Sequence, residues 1–161
     1  MRQFKKFNKN ADFFDGSTLN TVLKTLFLEY LIGGDCVILF DSGYITGSGK
    51  LLIFESDEIG DVPQEVVQKH YGKYTHSKDG IVFDMYGRQI GVIVSKSCRG
   101  LDSFEPDKCF YLKRDPDGLN EDVDWLMPKN TFRTGMWRGI TGMTTMLANN
   151  EDLEMLTNFE L

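Results

Sequence analysis

The stretch from Gly80 to Val94 constrains the fold most strongly. Ile81, Phe83 and Met85 alternate along one run, Ile90, Val92 and Val94 along the next, and Tyr86-Gly87-Arg88 lies between them. A period of two places such residues on one face of a strand, and a glycine-containing tripeptide between two such runs reads as a hairpin turn. The spacing predicts an antiparallel hairpin in which Gly87 supplies the turn.

Two further strands are expected upstream. Cys36-Val37-Ile38-Leu39-Phe40 is a continuous apolar run bounded by Asp35 and Asp41, which reads as a strand buried on both faces. Leu51-Leu52-Ile53-Phe54 reads as its antiparallel partner, joined to it by the glycine-rich loop Asp41–Lys50. Before them, Leu19, Val22, Leu23, Leu26, Phe27 and Tyr30 follow helical spacing and predict one apolar helix face. Ser17 is the expected N-cap, and Gly33 and Gly34 are expected to end the helix in a conformation only glycine adopts easily. The first sixteen residues read as an arm, with Phe4, Phe7, Phe13 and Phe14 spread among polar residues without a period.

Further along, Pro63–His70 reads as a short helix, Tyr71–Lys78 as polar and exposed, and Cys109–Leu112 as one more short strand. Asp115–Asp124 is acidic and turn-rich, and Asn130–Gly139 is irregular. A last helix is expected from Thr141, with Met143, Met146, Leu147, Leu153 and Leu156 on its apolar side. Helices stand beside mostly antiparallel strands, so the fold class is α+β. The domain reading is an arm over 1–16 and one body over 17–161.

Charge and composition limit function. The 161 residues are 41% hydrophobic and 26% charged, which fits a chain with a packed core and excludes a disordered one. The net charge of -6 argues against gripping duplex DNA by bulk charge, because that mode needs a basic face. It is compatible with a body past which DNA slides. Val22–Phe40, the longest apolar candidate, is interrupted by Lys24, Glu29, Gly33, Gly34 and Asp35, so no membrane span is expected. Arg2, Lys5, Lys6 and Lys9 are followed by no apolar core with a cleavage site, so no signal peptide is expected. Cys36, Cys98 and Cys109 are an odd set with no close pair and read as reduced thiols.

Candidate chemistry is sparse. A phosphate-binding loop needs G-x-x-x-x-G-K-[ST] opening a helix. In Gly43–Lys50 the residue six before Lys50 is Tyr44, Leu51 follows it, and a strand comes next, so the loop reads as a hairpin connection. A calcium loop counted from Asp115 needs glycine sixth and glutamate twelfth, whereas Gly118 is fourth and Leu126 twelfth. His70 and His76 lack partners at zinc spacing and read as surface residues. No catalytic, cofactor or metal residue is assigned. The methionines of the last helix read as packing.

The order of these motifs resembles the middle portion of the portal proteins of tailed bacteriophages, the lambda-like family in particular. A helix leads into a G-[ED]-x-φ-φ-φ strand, here Gly33, Gly34 and Asp35 before Cys36–Phe40. An acidic I-x-x-D-x-I type segment follows a strand, here Leu52–Ile59. The most specific element is D-G-[IV]-x-[FY]-D-x-[YF]-G-R-x-[IV]-[GA]-[YV], matched from Asp79 to Ile93 by Asp79, Gly80, Phe83, Asp84, Tyr86, Gly87 and Arg88. An R-G-[VI]-[PST] turn closes the series with Arg138 and Gly139.

The resemblance covers Thr18 to Leu161 and implies a wing-like portal domain whose final helix, 141–160, leads toward a stem. It also implies that the chain is a fragment or a divergent member. A portal subunit is a structural component of the virion, a non-enzymatic member of a dodecameric ring at one capsid vertex. Double-stranded DNA is packaged and ejected through that ring without sequence-specific contact. The implied partners are other portal subunits, terminase, capsid and head-completion proteins, with no membrane. The implied location is the virion, and host cytoplasm during assembly. Two other classes stay open: a stand-alone phage interaction or adaptor module, and a small nucleotide-binding enzyme using the 43–50 loop.

Overall fold

The computed structural model describes residues 2–41, 47–95, 105–114, 125–131 and 136–141. Among the described residues three α-helices, α1 (Arg2–Lys9), α2 (Leu19–Ile32) and α3 (Gln64–Tyr71), accompany seven strands. The strands are β1 (Val37–Phe40), β2 (Leu51–Phe54), β3 (His76–Lys78), β4 (Ile81–Phe83), β5 (Gln89–Ser95), β6 (Cys109–Lys113) and β7 (Trp125–Leu126). They form two antiparallel sheets, ordered β2-β1-β7 and β3-β4-β5-β6. The chain is α+β. Beyond Thr141 the final helix expected over 141–160 lies outside the described residues, as do Cys98 and the acidic stretch Asp115–Asp124.

The core has two levels, and the alternation of side chains along the strands explains both. Val37, Leu39, Leu52 and Phe54 of the first sheet pack against Ile81, Val92, Val94 and Leu112 of the second, with Ile59 and Trp125 in the same cluster. The opposite face of the second sheet sends Val82, Ile93, Cys109 and Tyr111 against Val62 and Val67, the latter on α3. The second sheet is therefore the middle layer. That is why β5 reads as a nearly unbroken apolar run and is buried from Gly91 to Ser95.

The predicted hairpin is present, with Ile81 opposite Val92. Its alternation is broken once. Val82 pairs with Gly91 and Phe83 with Gln89, which leaves Ile90 as an extra residue. One inserted residue shifts the side-chain alternation, so Ile90 packs with the α3-side cluster instead of beside Val92 and Val94. Met85 leaves the strand pattern and is exposed. The turn is held by Asp84, whose Oδ1 accepts the N–H groups of Tyr86 at 2.8 Å and Arg88 at 2.9 Å. Arg88 Nε donates to Asp84 Oδ2 at 2.7 Å, and these bonds hold the Asp84 carboxyl below its ordinary pKa despite the opposing effect of desolvation. Gly87 has φ +78.

Elsewhere the structure departs from expectation for local reasons. β1 pairs with β2 as expected, but it has one core face, since Val37 and Leu39 are buried while Ile38 is half-buried and Phe40 exposed. Thr18, not Ser17, caps α2 and accepts the Thr21 N–H. The helix begins at Leu19, which leaves Ser17 one residue before the cap, its N–H donating to Asp15 Oδ1 at 2.7 Å. Gly34 ends α2 at φ +87, whereas Gly33 stays right-handed at φ -77. Residues 2–9 of the arm are helical, and the segment behind them is tied to β2 by Leu51 N–H to Ala11 carbonyl and Phe13 N–H to Leu51 carbonyl bonds. Of the apolar stripe on α2, Val22 alone is buried, and Leu23 and Phe27 stand exposed.

Tyr71–Lys78 is not simply an exposed stretch. The Tyr71 hydroxyl reaches the carbonyls of Val92 and Leu112 at 3.2 and 3.0 Å. Its ring lies where a side chain on Gly91 would stand, so Gly91 is required for that approach. His76–Lys78 forms the edge strand β3. His70 stacks on Tyr111 with centroids 3.8 Å apart instead of standing clear at the surface, while His76 is exposed and stacks on Phe83.

Two glycines at the same φ of +78 should separate strain from crowding. A Cβ on Gly87 meets open space, so Gly87→Ala should cost about 1 kcal/mol by backbone strain alone. A Cβ on Gly80 would lie 2.6 Å from Gly60 N and 2.7 Å from Ile59 Cγ2, so Gly80→Ala should cost clearly more. Urea denaturation of the two variants measures the difference, and equal costs would contradict this account.

Candidate functional site

A carboxylate with no exposed surface must find donors, because leaving it unpaired costs several kcal/mol. Asp35 is such a group, wholly buried between Gly34 and the start of β1. Its partner stands 103 residues away. Arg138 Nε donates to Asp35 Oδ2 at 2.7 Å and Nη2 to Oδ1 at 3.0 Å, a bidentate pair. The backbone N–H of Gly139 adds a third bond to Oδ2 at 2.7 Å.

The rest of the guanidinium is also used. Nη1 donates to the carbonyl of Asp79 at 2.8 Å and of Ile59 at 3.3 Å. Nη2 also meets the Ser56 carbonyl at 2.8 Å and its hydroxyl at 2.9 Å. All the N–H groups of the fork therefore face acceptors, and lysine could not reproduce that geometry. One side chain fastens the end of α2, the short turn Ser56–Glu58, the entry to β4 and the irregular segment 136–141 to one another.

Two glycines make room for this clasp. A Cβ on Gly34 would lie 2.6 Å from the carbonyl carbon of Ile140 and 2.7 Å from Thr141 N. A Cβ on Gly139 would collide with the backbone of Gly34. The close approach is sealed by Asn130, whose N–H donates to the Gly34 carbonyl and whose carbonyl accepts the Ile140 N–H, both at 2.8 Å. Lys129 is drawn in as well, with Nζ 3.0 Å from the Met136 carbonyl, and burial pushes its pKa down.

Asp79 extends the clasp to the hairpin. It has φ +52, an uncommon conformation for a residue with a side chain. Its N–H and that of Gly80 donate to the Asp61 carboxylate at 2.8 and 3.1 Å, which holds the turn. The Trp137 indole N–H donates to Asp79 Oδ2 at 3.3 Å, and its ring meets Phe83 edge to face at 5.9 Å. Lys78 Nζ lies 4.6 Å over the same ring.

Of the residues singled out in the sequence, Gly33, Gly34, Asp35, Asp79, Gly80, Phe83, Arg138 and Gly139 come together here, Gly33 by close approach to Ser56. Asp84, Tyr86, Gly87 and Arg88 form the separate hairpin tip. Sequence reasoning missed Ser56, Asp61, Lys129, Asn130 and Trp137. Ser56, Asn130 and Lys129 act through or upon backbone groups, and such contacts leave no residue-type signature.

The described base of the glycine-rich loop, Asp41 and residues 47–50, is tied together by its own side chains, while residues 43–46 lie outside the described residues. Asp41 Oδ2 accepts the Ser48 N–H at 3.1 Å and hydroxyl at 2.8 Å, and Lys50 Nζ donates to Asn10 Oδ1 at 2.7 Å. A buried carboxylate at the loop base opposes a phosphate, and the lysine ammonium is engaged by Asn10. Among the described residues no group of three or more His, Cys, Asp or Glu is placed to hold a metal ion, and no helix is long and apolar enough to cross a membrane. Compared with protein-family models and with curated proteins, the chain matches none.

Removing the guanidinium leaves the Asp35 carboxylate buried without its partner, so Arg138→Ala should cost about 3 kcal/mol or more. Arg138→Lys should recover little of that, because an ammonium cannot fill the fork. Thermal and urea melts check both, and a lysine variant as stable as the parent would sink the account.

Beside the clasp, burial and then the charges of Glu55, Asp57 and Glu58 push the Glu29 pKa above its ordinary 4.5. A raised carboxylate pKa means the folded chain takes up the proton first, so the penalty exists above the folded pKa and disappears as pH falls toward 4.5. Glu29→Gln should therefore stabilise the protein at pH near neutral and lose that advantage in acid. Melts of both chains across that pH range give the readout.

Proposed function

We propose that this chain is the body of a portal-like subunit, a fragment or divergent member of the lambda-like phage portal family. Its role is structural: one member of a ring at the capsid vertex through which double-stranded DNA is packaged and ejected. The observation that supports the reading is the convergence at Arg138. The segments that resemble the portal motifs are scattered from Gly33 to Gly139, yet all of their singled-out residues except the hairpin-tip set Asp84, Tyr86, Gly87 and Arg88 gather around one buried ion pair. Motifs of a structural subunit are expected to be residues that fasten its body. The net charge of -6 suits a body that lets phosphate pass without holding it. Terminase, capsid and head-completion proteins would be its partners, and the virion its location.

One observation favours a second reading, a stand-alone phage adaptor. The exposed apolar residues of α2 offer a surface of the kind interaction modules use. The nucleotide-enzyme reading draws no support from a loop closed by Asp41.

Sequencing the DNA that flanks the gene separates the two. Terminase upstream and a prohead protease or capsid gene downstream are expected, and flanking genes without any packaging or capsid function would overturn the portal reading. Light scattering on a sizing column should show monomers or small oligomers. Their association should grow with salt as the negative charge is screened. A salt-independent, ring-sized species would contradict that expectation.

A further inference from the structure

We infer that the groove between α1 and the first sheet binds single-stranded nucleic acid, with bases on its phenylalanine rings and phosphates on its lysines. The groove spans about 780 Å³, inside the roughly 300–1,000 Å³ of ligand clefts. Its apolar side chains are all aromatic: Phe4 and Phe7 from α1 and Phe40 from β1. Phe4 is 64% exposed and Phe40 38%, so much of both rings meets solvent, while Phe7 is half-buried. Exposed aromatic rings form a platform for unpaired bases, because every base has a π-face to stack on them.

The charge around the rings has one sign. Lys6 and Lys50 line the groove, and a second hollow that shares Lys6 is lined by Lys5, Asn8 and Lys9. The four lysines therefore form one continuous track beside the rings, and Lys5, Lys6 and Lys9 are exposed. Lys50 Nζ gives one of its three N–H groups to Asn10 Oδ1 at 2.7 Å, which holds the ammonium at the groove and ties the end of α1 to the start of β2. The chain has 24 Asp and Glu, yet none among the described residues lines either hollow. The polar lining is instead made of neutral groups such as the Gln3 amide, which can bond base edges.

The same features select a single strand over other polyanions. A duplex hides its base faces and would meet the lysines alone, against a chain whose net charge is -6. A membrane surface needs a broad apolar helix face, and α1 offers Phe4, since Phe7 is half-buried and lines the groove. An acidic peptide would use the lysines without needing flat rings beside them. The chain's negative charge does not cancel the local field, because salt screens exposed charges beyond about 8–10 Å. The groove uses none of the residues around Arg138, and the inference stands independently of the portal reading.

Fluorescence anisotropy of the full chain with a labelled oligothymidylate tests it, at about 12 nucleotides, within the span one single-strand-binding domain covers. Binding should weaken with salt, and three or four phosphate contacts give a log–log slope of about -2 to -3. Phe4→Ala should weaken binding at least about fivefold and leave that slope unchanged. Lys6→Gln and Lys9→Gln should each make the slope shallower by about 0.7. All three positions are exposed, so the variants keep the fold. An oligouridylate run in parallel separates RNA from DNA as the source, and tighter binding of either supports the groove. No binding at low salt would overturn the inference, as would a Phe4→Ala chain that binds like the parent. A duplex of the same length held as tightly would remove the role of the rings. Phosphatidylserine vesicles or polyglutamate bound as well as the oligonucleotide would make the track a general polyanion surface and equally overturn it.

Discussion

The body of this protein depends on a carboxylate that has no access to water. Asp35 is fully buried, and its charge is tolerated because Arg138 and the Gly139 N–H surround it with three donors. A buried ion pair adds little net stability over an apolar pair of similar shape, since both ions must be stripped of water. Its effect is on position. A carboxylate without its partner is so unfavourable that segment 136–141, with no regular structure of its own, is held to one place on the surface of two sheets.

The guanidinium also satisfies backbone groups that strands and helices leave over. The carbonyls of Ile59 and Asp79 lie outside the helices and strands and that of Ser56 opens the short turn Ser56–Glu58, and each accepts from the guanidinium. Arg138 gathers them into one network. The glycines at 34 and 139 then let two backbones meet at a distance no side chain permits. Clasp and sandwich are thus coupled: the turn from Ser56 and the entry to β4 both flank strands whose side chains build the core between the sheets.

Much of the fold was legible because it rests on local periodicity. The hairpin of β4 and β5, the pairing of β1 with β2, the helix from Leu19 and the short strand at Cys109 all follow from spacing and turn residues. The site was legible in part. Arg138, Asp35, Asp79 and the glycines stood out through motif order, but nothing in that order said that they touch. Ile90 and Ser17 show where local reading fails. A bulge moved Ile90 to the other face, and α2 begins one residue later than expected, so that Thr18 stands at the cap where Ser17 was expected.

What the sequence determined by itself was the fold class, the place of most strands and helices along the chain, and an acidic charge unsuited to gripping duplex DNA. These depend on neighbours within a few residues or on composition, both of which can be read along the chain. Only the tertiary structure decided that Asp35 is buried, that Arg138 lies across four segments, that the Asp41 carboxylate closes the glycine-rich loop and that α2 keeps an apolar face uncovered. Each of these is a matter of which surfaces meet across many tens of residues. Desolvation acts on whatever is brought together in space, so its outcome is fixed when the layers pack.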